Sequence, residues 1–405
     1  MPNCAICDTP LISSNDSAEH VIINAIGGFR KVRGFLCDDC NNTTGHQWDA
    51  ELAAQLNGLC HFFDIERDRG SIPAQKIKTT AGETFRMLSD GGFELMKPTV
   101  EKTENGAQTQ YRVVARDMRE ARKILRDLQR KFPKIDVEVE LAKAQARTSY
   151  LKGMVELTVQ IGGVHAGRAI VKSAIALARE SGIPAEACDQ ALAYLRNENA
   201  LACFGYYSTT DLMIGRPVGA PLHCVAISGD PDSGMLLAYA EYFGFLRAVV
   251  LLSEAYSGPK IERCYAIDPT TGTELDLSVH LDFSRADMAD IFDYKHCDHE
   301  ATKRAADAVI SPGMARKPQR EQDRAVNRAV QYAFENCGAQ PGDMLTEEHL
   351  RAIARLAAEK LMPFIVNQNQ PRPLPPGLGS QSGTKDVEQR GVPANQTMTK
   401  KAKLP

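Results

Sequence analysis

SAEHVIINAIGG, residues 17–28, lies between two Cys-x-x-Cys pairs, Cys4/Cys7 and Cys37/Cys40, and decides how the first sixty residues fold. Each pair can supply two thiolates from one tight turn, which tetrahedral Zn2+ requires at about 2.3 Å. The 29 residues between the pairs suit a Cys4 zinc site, whereas buried or redox-active cysteines would need no matched spacing. Zinc held by four thiolates has no open coordination position, so its expected role is structural, stabilising a module too small for a large core. Chemistry, if there is any, falls to the groups around it: Glu19 and His20, then Asn41, His46 and Asp49.

The rest of the chain bounds the setting. The 405 residues are 43% hydrophobic and 24% charged, with a formal net charge of −3, an ordinary globular balance. That charge argues against nucleic-acid binding by bulk basicity, although a local basic surface stays open. The start, MPNCAICDTP, lacks a basic segment followed by an apolar core, and no window approaches 18 apolar residues. Eleven cysteines in such a chain suit a reducing compartment. The expectation is a cytoplasmic protein with no membrane partner.

Along the chain, the pattern is α+β in three parts: a zinc-stabilised module at 1–60, a mixed α/β domain at 61–367, and a disordered tail at 368–405. Short strands separated by turns are expected over 76–115. A helix follows at 116–132, with Met118, Ala121, Leu125, Leu128 and Phe132 on one face. IDVEVEL (135–141) and VELTVQI (155–161) alternate like half-buried strands. Helices are expected at 165–181 and 185–197, strands again at 221–281, and helices over 284–365 broken at Ser311-Pro312-Gly313 and Gln340-Pro341-Gly342. NQNQPRPLPPGLGSQSG, in the tail, has too little apolar surface to order itself.

The string S-x-E-H-V-I-x-N-A-I-G-G, followed by L-C-x-x-C-N and G-x-x-x-D-A-x-L, resembles the HNH endonuclease family, in its zinc-containing E-H … C-x-x-C-N branch. The resemblance runs from Cys4 to about Leu56. It implies a ββα-metal, treble-clef-like fold: a hairpin carrying Glu19-His20, then a helix beginning near Asn41. It also implies phosphodiester hydrolysis, with His20 as general base and Glu19 and Asn41 holding one catalytic divalent cation, Mg2+ or another. The residue types suit those roles, because imidazole titrates near neutrality and carboxylate and amide oxygens are hard ligands. Neighbouring strand residues point to opposite faces, so Glu19 and His20 share one site only if the backbone is bulged or twisted there. Asn41 can alternatively cap the helix, and His46 is an alternative ligand. The central asparagine that names the family has no counterpart between Ala25 and Cys40, where the loop reads FRKVRGF.

The partner implied is nucleic acid, DNA foremost. Arg30, Lys31 and Arg33 are candidates to hold phosphate near the metal. A second basic row, Arg116, Arg119, Lys123, Arg126 and Arg130, can follow a nucleic-acid backbone or be a solvated face. His296-Cys297-Asp298-His299 resembles a ligand set without a partner motif. The competing reading is a non-catalytic, zinc-stabilised binding protein with an HNH-like fold.

Overall fold

In the computed structural model of the chain, the described residues are 2–105, 108–145, 150, 151, 153–369 and 398–403. They form a mixed α/β structure that divides into two compact units. One joins Met1–Pro73 to Thr158–Ala315, and the other joins Ala74–Leu157 to the segment that begins at Arg316.

The first unit is built around the helix Val164–Glu180. Its sequence, VHAGRAIVKSAIALARE, is rich in alanine, and every residue from Ala166 to Ala178 is buried. A helix buried all round has neighbours on every side, and this one does. One side packs on a six-stranded antiparallel sheet ordered Thr273–Leu275, Ile261–Asp268, His223–Asp230, Met235–Tyr242, Leu246–Ser253 and Phe204–Tyr206. Other sides meet the N-terminal strands and the segment leading into the helix Ala50–Phe63. Small residues permit the close approach: a Cβ on Gly167 would lie 2.4 Å from the Phe204 ring.

All eight residues of Met235–Tyr242 are buried, so this strand is covered on both faces and shows no alternation. Leu237, Tyr239, Val249 and Leu251 line a core that Met288 and Ile291 close from the helix Arg285–Phe292. A turn at Pro269–Gly272 joins Ile261–Asp268 to Thr273–Leu275, with Gly272 at φ 68°.

The second unit contains the strands Gln75–Thr79, Thr84–Met87 and Phe93–Leu95, with Val155–Ile161 beside the first of them. A separate hairpin pairs Thr99–Asn105 with Gln108–Val114. The basic helix forms at Met118–Lys131. IDVEVEL is not a strand: Val137–Ala142 is a helix. Asp136 caps it, accepting from the Glu138 and Val139 amides at 3.0 and 3.2 Å. Val137 and Leu141 are buried while Val139 is half exposed, so the apolar spacing that mattered was four rather than two.

The break expected at Ser311-Pro312-Gly313 is also absent, because one helix runs from His299 to Asn336. Gly313 sits where a Cβ would meet the Phe62 and Phe63 rings at 2.8 and 2.9 Å, so the small residue is there for packing. The break at Gln340–Gly342 does separate this helix from Glu347–Gln368. Of the tail expected from 368 onward, Gln368, Asn369 and a strand at Met398–Lys403 are described, and the remainder lies outside the described residues. Among the described residues, no helix is long and apolar enough to cross a membrane.

Candidate active site and zinc centre

Two backbone knuckles bring the cysteines together. In the first, Cys4 donates its amide to Thr9 O and accepts from Asp8 N, with Asp8 turned to φ 58°. In the second, Cys37 is the N-cap of the helix Asp38–Thr44 and Cys40 lies in its first turn. Bonds from Ala5 N to Phe35 O and from Ser17 N to Leu36 O tie the two together. The four Sγ atoms all lie within 4.8 Å of one another, with Cys7 and Cys37 3.7 Å apart. A tetrahedron with zinc–sulfur bonds of about 2.3 Å has edges of about 3.8 Å, so this donor set fits zinc. Hydrogen bonding with the Thr9 hydroxyl pulls the Cys7 thiol down to about 6, whereas burial pushes Cys37 and Cys40 up.

Glu19 and His20 form a two-residue strand paired with Lys31–Val32. Gly27, at φ 98°, closes the turn after Asn24–Ile26. Gly28 then passes so close to Ile22 that a Cβ would lie 1.6 Å from the Ile22 carbonyl oxygen. The strand is regular rather than bulged, so its two side chains diverge.

His20 is buried, with Nε2 3.2 Å from Asp68 Oδ2. Asp68 also receives Lys31 Nζ at 2.6 Å, and the Lys31 and His20 contacts hold its carboxyl below the usual range. Burial lowers the His20 pKa from its ordinary value, against the opposing pull of Asp68. The side chain of Asn24 clasps the backbone of Arg69, accepting from its amide at 3.3 Å and donating to its carbonyl at 3.1 Å. The segment bearing Asp68 is thereby held against the hairpin.

Glu19 points the other way. Its Oε1 lies 2.7 Å from Lys172 Nζ, which also lies 2.6 Å from Asp49 Oδ2. Asn41 donates to Ser17 Oγ at 2.6 Å, and it sits in the first helical turn rather than at the cap. His46 is exposed on the π-helical turn Gly45–Asp49. Trp48 is buried beneath the Arg168 guanidinium, 5.5 Å from its ring.

The Glu19 carboxylate, expected to hold a divalent cation, is bonded to the Lys172 ammonium, whereas Asn41 donates to a hydroxyl through its amide nitrogen and not its ligand oxygen. Among the described residues, the four cysteines are the only cluster of three or more His, Cys, Asp or Glu side chains placed to hold one ion.

The basic loop is also engaged within the protein. Arg30 pairs with Glu274 and Glu180 and lies 4.3 Å over the Tyr265 ring. Lys31 is on Asp68, and Arg33 donates to Asp16 O at 2.5 Å. Of the row on Met118–Lys131 and its flank, Arg116 pairs with Glu120 and Arg130 with Asp127. The His296 group is structural: His296 stacks on Tyr207, and Asp298 caps the helix that follows. Asp68 and Lys172 were not anticipated from the sequence. They lie 48 and 153 residues beyond the groups they contact, His20 and Glu19, and belong to no motif.

Residues 4–57 match the sequence model of the HNH endonuclease family. The match covers the four-cysteine module and the Glu19-His20 hairpin. Compared with curated proteins and with solved structures, the chain finds no match.

Proposed function

We propose that the protein is an HNH-type endonuclease that hydrolyses phosphodiester bonds in nucleic acid, DNA foremost, with His20 as general base. The family match of residues 4–57 supports nuclease-type function. The observation that carries the catalytic assignment is the His20–Asp68 contact. A carboxylate at Nε2 favours the tautomer with its proton there, leaving the Nδ1 lone pair to accept a proton from water. Asp68 thus fills, by a different route, the orienting role that the missing asparagine has in the family. Water deprotonated by His20 would attack phosphorus, and the P–O bond to the leaving oxygen would break. No step is routed through a divalent cation, because the Glu19 carboxylate expected to hold it is bonded to Lys172. Zinc at Cys4, Cys7, Cys37 and Cys40 would hold the knuckles and leave the reaction to these side chains.

A non-catalytic binding protein is the second reading, favoured by the engagement of Glu19 with Lys172. The two are separated by cleavage of plasmid and single-stranded substrates, with and without Mg2+, Mn2+ or Ni2+, by wild type and His20→Ala. Cutting by wild type with a loss of roughly 100-fold or more in the variant is expected for a general base. Equal cutting by both would remove the base assignment, and binding without cutting would favour the second reading.

A further inference from the structure

We infer that Lys172 is the resident cation of the Glu19 position, a tethered ammonium standing where the resemblance calls for a divalent metal. The claim concerns the site assigned above, but it rests on the contacts of Lys172 and not on the nuclease reading. Lys172 has no exposed surface, and its ammonium lies 2.7 Å from Glu19 and 2.6 Å from Asp49. Three elements converge there: the strand Glu19–His20, the end of the Gly45–Asp49 turn, and the central helix. The lysine cannot swing away, because the helix is buried on both sides of it through Ala166–Ala178.

A divalent ion bound by Glu19 would have to lie within a few ångströms of the ammonium. Two cations at that separation repel strongly in a buried setting, so metal and lysine exclude each other. Breaking a buried pair by removing one partner leaves an uncompensated charge. Here that loss would leave two carboxylates facing one another, a donor set suited to a hard cation. Asp49 already holds a spare acceptor, because its Oδ1 is buried with no partner among the described residues. The lysine also fixes the strand: with Glu19 anchored on one face, His20 is directed to Asp68 on the other.

The test is Mn2+ binding by the zinc-loaded full-length protein, followed through the electron paramagnetic resonance of free Mn2+. Wild type and Glu19→Gln are expected to bind alike, with no equivalent that depends on Glu19. Lys172→Met is expected to gain one equivalent, and Lys172→Met/Glu19→Gln to lose it. A wild-type equivalent abolished by Glu19→Gln would overturn the inference, as would a folded Lys172→Met variant that takes up no Mn2+. Should Lys172→Met fail to fold, the comparison of wild type with Glu19→Gln decides alone. Absence of cleavage would sink the nuclease reading and leave this assignment standing.

Discussion

His20 shows how a single side chain can be recognisable in sequence while the group it contacts is not. The E-H pair between two zinc knuckles singles out the imidazole, but the carboxylate at its Nε2 comes from Asp68. Asp68 sits in a polar stretch, ERDRG, that has no pattern of its own. Divergence of Glu19 and His20 was legible as a consequence of strand geometry; what Glu19 would meet was not. In the proposed role of base, the imidazole must be neutral to accept a proton. Because burial holds its pKa below the ordinary 6.5, the acid limb of cleavage is expected below that value, with activity rising as pH increases through it. Asp68 opposes the effect of burial, so Asp68→Asn should move the limb further toward acid. It should also lower the plateau roughly 10-fold or more by loosening the base. Profiles of kcat/KM against pH for both proteins check this. A limb that moves toward alkali, or a plateau that does not change, would show that Asp68 does not support the base.

At the scale of elements, strands and helices were legible where one period dominated, as in VELTVQI and the Ala-rich central helix. They were misread where context decided. IDVEVEL satisfies both periods, and the Asp136 cap settled it as a helix. Pro312 and Gly313 look like a break but pack against neighbours inside a continuous helix. The strand beginning at His223 carries a further consequence that no motif announces. His223 is fully buried, donates Nε2–H to Ile26 O at 2.8 Å, and accepts the Phe243 amide at Nδ1 at 3.0 Å. Accepting the Phe243 amide requires an unprotonated Nδ1, and burial pushes the imidazole's pKa down to about 4. The unfolded chain takes up this proton near 6.5, so the contribution is complete above that pH and is lost as pH falls toward 4. At 1.36 kcal/mol per pKa unit the loss is about 3 kcal/mol. Denaturant titrations of wild type and His223→Leu at pH 7 and pH 4.5 should differ accordingly. The variant should be less stable at neutral pH, with the Ile26 carbonyl and Phe243 amide unpaired, and should lose less on acidification. An unchanged difference between the two pH values would exclude His223 as the source.

At the scale of the molecule, the four-cysteine module was legible as a sequence block, but its dependence on distant segments was not. The boundary expected at residue 60 falls inside the helix Ala50–Phe63, and residues 1–73 pack with 158–315 as one unit. The ties are numerous and varied: Glu19 to Lys172, the Ile26 carbonyl to His223, Arg30 to Glu274 and Tyr265, and the Glu66 amide to Pro269 O at 2.8 Å. Composition and periodicity report on neighbours along the chain, and none of these partners is near in sequence. A fragment of residues 1–73 should therefore retain the four cysteines and take up zinc, because those ligands all lie within it. It should not fold cooperatively, because Glu19 loses its ammonium and the Ile26 carbonyl its donor. Small domains have little reserve, and metal binding supplies folding free energy only where the rest of the structure can form around the site. Calorimetry of zinc-loaded fragment and full-length protein should give a sharp transition only for the latter, and chelation should lower the melting temperature of the full chain. A fragment that melts cooperatively and cleaves nucleic acid as well as the full chain would show that the module is autonomous, and that these long-range ties are dispensable to it.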